Sequence, residues 1–329
     1  MFQFIIKRFL TMIPVMLGVL LFVFIVSRLS GDPVAGMLGE NYTPEQYEEM
    51  RAHLGLDKPY LVQFYEYVRG VVTEFDLGAS FRYKRPVIDE VRARLPLSIY
   101  IAMIAMGWSV AVGTLVGIIS AVRQYSGLDY SATVIAMICA SMPSFWFGMM
   151  LMLLFSLKLG LVPATGIASW RSFILPCITI GLSSVASFCR MTRSTMLEVI
   201  RQDYIRTARS KGLSEIKVIM GHALQNSAIP IVTLLGVQMN LAIGNSVVIE
   251  NVFSIPGLGS YMIEAINGKD YPCVQGAVLV FSMVVCFINL GVDILYGVID
   301  PRIRTRYTGS SLKARLENRK IARMAKAGE

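Results

Sequence analysis

Six stretches without a charged residue, 9–27, 95–122, 130–157, 172–189, 218–249 and 271–292, run through this chain of 329 residues. A helix crosses the hydrocarbon core of a bilayer in about 20 apolar residues at about 1.5 Å rise each. At that depth the backbone has no water to bond, so runs of this length are helices. The overall balance agrees: 54% of residues are hydrophobic and 16% charged, against roughly a quarter charged in a soluble domain. The expected fold is an all-α polytopic membrane protein with six transmembrane helices. The fourth run is the weakest, with Pro176 near its start, and is expected to continue helically past Arg190. Pro14 and Pro143 fall inside other runs, where neighbouring helices can satisfy the carbonyls they free. Lys7 and Arg8 before the first run imitate a signal peptide. That run exceeds a usual h-region and no small-residue cleavage site follows Leu29, so it reads as a retained helix.

An even number of crossings puts both ends on one side, and basic residues choose the side. Of the 31 Lys and Arg, 19 fall on the side of the ends: Lys7, Arg8, Arg123, Arg190, Arg193, Arg201, Arg206, Arg209, Lys211, Lys217 and nine from Arg302 to Lys326. The segment 28–94 carries nine basic and eleven acidic residues. Both termini are therefore expected in the cytoplasm and residues 30–94 outside, in a plasma or inner membrane. The same distribution accounts for the net charge of +9 without nucleic acid. Cys139, Cys177, Cys189, Cys273 and Cys286 lie in or beside the runs, with neither metal spacing nor a disulfide framework.

The outer segment carries helix punctuation. Thr43, Pro44 and Gln46 form an N-cap, an N1 proline and a capping-box partner, and Gly55 offers a stop. A second helix is expected after Pro59, with Leu61, Phe64, Tyr65, Val68, Val71, Val72 and Phe75 on an apolar face. Val87, Val91 and Leu95 after Pro86 suggest a third, entering the second span.

Between the fourth and fifth spans, Met196, Ile200, Tyr204 and Ala208 form an i, i+4 apolar stripe, with Arg201, Arg206, Arg209 and Lys211 on other faces. Gly212 breaks this helix, Leu213 can make the hydrophobic contact of a C-terminal cap, and Ser214 can cap a new helix through Ile216, Val218, Ile219 and Ala223. Two helical pieces meeting at a sharp corner are expected, which is either a docking feature or a surface loop returning the chain to the membrane.

The stretch Asp203-Tyr204-Ile205-Arg206-Thr207-Ala208-Arg209-Ser210-Lys211-Gly212-Leu213 resembles the signature loop of the dipeptide, oligopeptide and nickel permease family of ABC importers. Supporting matches, in order, are Gly31-Asp32-Pro33, Leu54-Gly55-Leu56-Asp57-Lys58-Pro59, Asp76-Leu77-Gly78-Ala79-Ser80, Asn251-Val252-Phe253-Ser254-Ile255-Pro256-Gly257-Leu258-Gly259 and Asp300-Pro301-Arg302-Ile303-Arg304. The wider superfamily begins this loop Glu-Ala-Ala, where this chain has Arg206, Thr207 and Ala208, as the peptide branch does, and the proline expected soon after is displaced to Pro230.

The resemblance implies a type I ABC importer transmembrane domain. With the topology above, the chain divides into a first helix and extracytoplasmic segment (1–94), a core (95–302) with a coupling loop at about 191–228, and a basic cytoplasmic tail (303–329) that adds nothing to the resemblance. The resemblance implies an ATPase-coupling role for Asp203, Arg206, Thr207, Ala208, Arg209, Lys211, Gly212, Leu213 and Ser214. The implied partners are a second homologous permease, one or two ATP-binding proteins that hold the ATP and Mg, and an extracytoplasmic solute-binding protein. No cofactor is expected on this chain. The implied cargo is a di- or oligopeptide, with glutathione or a nickel chelate as alternatives.

The chemistry of the residues is compatible with that role. The sole Gly-Lys pair, Gly268-Lys269, precedes Asp270 and lacks the earlier glycine of a phosphate loop, so nucleotide chemistry belongs elsewhere. His53 and His222 are the two histidines, one expected outside and one inside, which leaves no catalytic constellation for an enzyme. Glu250 and Asp293 stand at span edges, with no charged relay between them, and Asp293 is expected to pair with an Arg or Lys. Gln238, Asn240, Asn245 and Asn289 either line a solvated pathway or bond between helices, and Gly113 with Gly117 marks a close helix contact. Six spans alone would equally suit a channel or secondary carrier; the loop and the missing relay tilt the choice to an ATP-driven permease.

Overall fold

The computed structural model describes residues 2–29, 31, 33–38 and 42–299. Asp32, the stretch Asp300 to Arg304 and the basic tail lie outside the described residues. The helices are α1 (Phe2–Leu29), α2 (Pro33–Leu38), α3 (Pro44–His53), α4 (Tyr60–Thr73), α5 (Val87–Val122), α6 (Gly127–Ser141), α7 (Ser144–Leu151), α8 (Ile174–Ile200), α9 (Asp203–Ser210), α10 (Glu215–Lys217), α11 (Leu224–Val252), α12 (Leu258–Asn267) and α13 (Tyr271–Ile299). A π-helical stretch, Met152–Lys158, prolongs α7, and another, Val218–Ala223, joins α10 to α11. Among the described residues there is no strand, only an isolated bridge between Ala79 and Pro86.

Among the described residues, five segments are long and apolar enough to cross a membrane: Arg8–Leu29, Val87–Val122, Trp170–Ile200, Glu215–Val252 and Tyr271–Leu295. As expected, the fourth run of the sequence continues well past Arg190, to Ile200. The third run differs from the expectation of one helix with a proline inside it. Its halves, α6 and α7 with its extension, meet at 103°. The residue before a proline is forced out of the helical region, and Met142 accordingly sits at φ −84°, ψ 131° before Pro143 opens the next helix.

The bent pair still runs from one end of the bundle to the other. At its start, Asp129 is held by Arg193 near the C-terminal end of α8. Further on, Gly148 lies against Thr179 near the N-terminal end of α8 and against Phe253 at the end of α11. Counted as one broken span, it makes six.

Two contacts frame the bundle. Arg8 on α1 donates to Asp293 on α13 at 3.0 Å, the partner expected for that carboxylate, and the Tyr271 hydroxyl donates to the Gly31 carbonyl at the opposite end. From Tyr271 to Asp293 a helix rises about 33 Å, close to the roughly 30 Å of a hydrocarbon core. The first and last spans therefore begin and finish on the same side, here called the basic end; the other is the far end.

Helices α5 and α8 pack closely because glycine permits it. A Cβ on Gly113 would lie 2.6 Å from the Phe188 Cβ and 2.7 Å from the Val185 carbonyl oxygen; on Gly117 it would lie 2.7 Å from both the Cys189 carbonyl oxygen and the Thr192 Cβ. Gly107, also on α5, faces open space. Gly117→Leu is therefore expected to lower stability by about 1–3 kcal/mol through overpacking, while Gly107→Leu leaves it unchanged or raises it. Thermal unfolding of the two purified variants checks this, and equal behaviour would contradict the packing role.

At the far end the punctuation forms as the sequence anticipates. Thr43 accepts from the Gln46 backbone N–H while the Gln46 side chain accepts from the Thr43 N–H, and Gly55 takes φ +64° after α3. The apolar face expected on α4 is divided. Val71 is buried and Phe64 meets Phe24 at 5.3 Å, whereas Leu61, Tyr65 and Val72 are exposed. The third outer helix is the opening of α5 itself.

The stretch Asp76 to Ser80 is an anchor. Asp76 caps the Gly78 N–H, Gly78 turns at φ +82° against Pro272, and Leu77 is 1% exposed against Gly276. Ser80 then donates to the buried Asp270 carboxylate at 2.5 Å, which also takes the Phe81 and Arg82 N–H groups.

Candidate functional site

The corner after α8 forms at the basic end. Helix α8 stops at Ile200, and Gln202 adopts an extended conformation (ψ 149°) before α9 starts. This break corrects the expected stripe. Met196 and Ala208 are buried, but Tyr204 is turned outward, and the residues that α9 buries are Ile205 and Ala208. No glycine or proline stands at Arg201-Gln202 to announce the change of phase.

The α9 helix ends as the sequence requires. Lys211 and Gly212 donate to the carbonyls of Thr207 (3.1 Å) and Arg209 (2.9 Å), and Gly212 takes φ +77°. That left-handed position suits glycine. Ser214 occupies the N-cap place of α10 but makes no side-chain capping bond there, contrary to the expectation. The two arms of the corner are instead tied by a pair that the sequence reading missed. Arg209 donates from Nε and Nη2 to both Glu215 oxygens, at 3.1 and 2.7 Å. This carboxylate raises the Arg209 pKa further above its ordinary value. Both groups are partly exposed, so the pair adds geometry more than stability.

The inner face of the corner is a small core. Ile205, Ala208, Val218, Ile219 and Ala223 pack with Ile118 and Ala121 of α5 and Met196 of α8. Ala208 thus belongs to this core. The outer face carries Tyr204, Leu213, Ile216 and Met220 as exposed hydrophobics, Ile216 at 76%, beside exposed Asp203, Arg206, Thr207, Arg209 and Lys211. A displacement of the outer face must be felt by α5 and α8, since close-packed interiors transmit shifts.

Beside this core is a second node that sequence reading missed. Asp129, 2% exposed, receives Arg193 Nε at 2.6 Å and Nη2 at 2.8 Å, the Tyr125 N–H at 3.0 Å and the Ser120 hydroxyl. One carboxylate so joins the end of α5, the following turn, the start of α6, and α8. The available signal was local: Ser126 precedes Asp129 by three residues and caps its N–H at 3.3 Å.

The polar residues of the last spans separate. Asn240 donates to Asn289 at 3.0 Å between α11 and α13, the interhelical alternative. Gln238 is buried within the chain, Asn245 is half-buried, and Asn289 keeps an exposed side.

Glu250, expected at a span edge, is wholly buried. Its Oε2 accepts from the N–H groups of Gly259 (2.8 Å) and Ser260 (3.1 Å), and the Ser98 hydroxyl takes the Leu258 N–H at 2.9 Å. A carboxylate there satisfies the first amides of α12. A Cβ on Gly257 would strike the Glu250 carboxylate, and one on Gly259 would strike the Val247 Cα at 2.5 Å and then Glu250 at 2.9 Å. The stretch Asn251 to Gly259 thereby folds back to seat α12 at the far end.

Comparison with known proteins bears on this arrangement. Residues 113–305 match the family described as binding-protein-dependent transport system inner membrane component, and residues 1–102 match its N-terminal companion. The dipeptide transport system permease protein DppB of Escherichia coli K12 is 40% identical over 337 residues, covering 92% of this chain and 99% of its own. The glutathione transport system permease protein GsiC of the same strain is 40% identical over 306 residues, with the same coverage. In three dimensions, a chain of the inward-facing MetNI methionine ABC transporter superposes with a TM-score of 0.57 at 14% identity, over 65% of this chain and 97% of that one. This likeness is one of fold.

Proposed function

Because the chain belongs to the family of binding-protein-dependent transport system inner membrane components, we propose that it forms half of the solute pathway of an ATP-driven importer of short peptides. The relatives named above carry dipeptides and glutathione, and a short peptide is what those cargoes share. The basic end is taken as the cytoplasmic one, a reading that the distribution of Lys and Arg supports, and the far end receives solute from a binding protein. A second, homologous permease supplies the other half of the pathway. Asn245 and Asn289, which keep some exposure, are candidates for its wall.

The observation that carries the mechanism is the two-faced corner. Its outer face offers Tyr204, Leu213, Ile216 and Met220 to a groove of an ATP-binding subunit, and its inner face rests on α5 and α8. ATP binding closes the paired ATPases, draws each corner with them and rocks the helices toward the outward-open state; hydrolysis resets the pathway. Nucleotide shifts this equilibrium only by its differential affinity for the two states. Ile216→Asp tests the docking role, because Ile216 touches little of its own chain. The variant is expected to fold and insert as the parent does, yet to bind its ATP-binding subunit at least roughly tenfold more weakly, since a charge would enter an apolar contact. Co-purification at graded salt measures this. Undiminished association would place the docking surface elsewhere.

A further inference from the structure

At the far end, away from the corner, a cavity of about 1070 Å³ opens between the end of α1, helices α3 and α4, and the start of α13. Its volume is that of a small-molecule site, for which several hundred to about 1,000 Å³ is usual. The exposed rim carries Glu49, His53 and Lys84. Three further lining residues each hold a polar atom that is closed to solvent and has no hydrogen-bond partner among the described residues: Arg28 Nε, Gln63 Oε1 and the Tyr67 hydroxyl.

Such orphans are few in a native protein, and each of these has a defined demand. Arg28 Nε can only donate, and Tyr67 can donate or accept. Gln63 is 8% exposed, and its amide nitrogen already donates to the carbonyls of Leu56 (3.3 Å) and Lys58 (2.6 Å). Its Oε1 is therefore left as an acceptor in search of an N–H.

We propose that this cavity binds a small zwitterion, whose entry turns these three side chains out of the cavity wall so that its anionic oxygen meets Arg28 and Tyr67 and its ammonium or N–H meets Gln63. Two sources share that chemistry. One is a short peptide; the other is an ethanolamine phospholipid headgroup, since Arg28 lies in the last turn of α1, where a membrane-spanning helix meets the headgroup layer. The inference does not depend on which solute the assembly carries.

The test uses the assembled permease complex without its solute-binding protein, in nanodiscs of phosphatidylglycerol. Dialanine is titrated in one arm and a short-chain phosphatidylethanolamine in the other, with binding read by calorimetry and native mass spectrometry. One of the two is expected to bind. Its affinity should fall at least roughly tenfold in Arg28→Gln and in Gln63→Leu, as loss of a charge-assisted or buried hydrogen bond requires. Tyr67→Phe should also weaken binding while the ligand-free protein unfolds no earlier than the parent, because the substitution removes an unpaired hydroxyl; this variant keeps the test valid if the other two fold poorly. The responding arm identifies the source. If neither probe binds, or if the bound probe keeps its affinity in the folded variants, the cavity is not a zwitterion site.

Discussion

Asp129→Asn is expected to destabilise the protein by about 3 kcal/mol, the low end of what breaking a buried ion pair costs. Asp129 is 2% exposed while Arg193 keeps 28% of its side chain in contact with solvent, which moderates the penalty for stranding the guanidinium. The asparagine preserves volume but removes the countercharge, and its amide NH₂ turns one acceptor into a donor facing other donors. Ser120, Tyr125 and Arg193 all converge on this carboxylate, so the loss loosens α5, α6 and α8 together, next to the core that supports the corner. A paired Asp129→Leu, Arg193→Met variant should recover most of the stability, because well-packed apolar residues commonly replace a buried pair without loss. Unfolding midpoints of parent, single and paired variants decide the matter. A single variant that unfolds with the parent would mean the node is not structural, and a paired variant as damaged as the single would mean that packing, not charge, is what matters there.

The crossing helices are legible in the sequence because a membrane imposes one simple requirement, about 20 apolar residues, and five of the six runs meet it as single helices. The Thr43 capping box is legible for a similar reason, since its partners are three residues apart. Pro143 carries a readable signal, but counting from one charge to the next is blind to the backbone restriction on Met142. The corner is half legible: Gly212 announces the turn, while the break at Arg201-Gln202 has no marker residue, so the apolar phase of α9 slips. What stays hidden is long range. Arg193 meets Asp129 across 64 positions, Ser98 meets Leu258 across 160, and Ser80 meets Asp270 across 190. No local periodicity reports such pairs. The same limit explains Glu250, whose role depends on the chain folding back through Gly257 and Gly259.

Gly212→Val is expected to leave the spans folded and to uncouple ATP hydrolysis from uptake. The position has φ +77°, and a Cβ built there meets nothing within 4 Å, so a substitution is opposed by backbone strain alone. A β-branched residue in that region costs about 1–3 kcal/mol. The cheapest relief is to reopen the turn, which would move the Arg209–Glu215 pair apart and carry Leu213 and Ile216 away from Tyr204. Because α9 also buries Ile205 and Ala208 against α5 and α8, the packed core resists following, and docking geometry is lost before the fold is. Gly212→Asn separates this account from a general intolerance to side chains, since asparagine accepts left-handed backbone more readily; it should retain most of the coupling. The measurement compares assembly, stimulation of ATPase activity by loaded solute-binding protein, and peptide uptake for parent, Val and Asn forms. A Val variant that assembles and couples hydrolysis to uptake as well as the parent would remove the corner as the transmission element. Equal failure of Val and Asn would show that the open space beside Gly212 is needed by the ATP-binding subunit itself, so that contact and not backbone conformation is what the glycine provides.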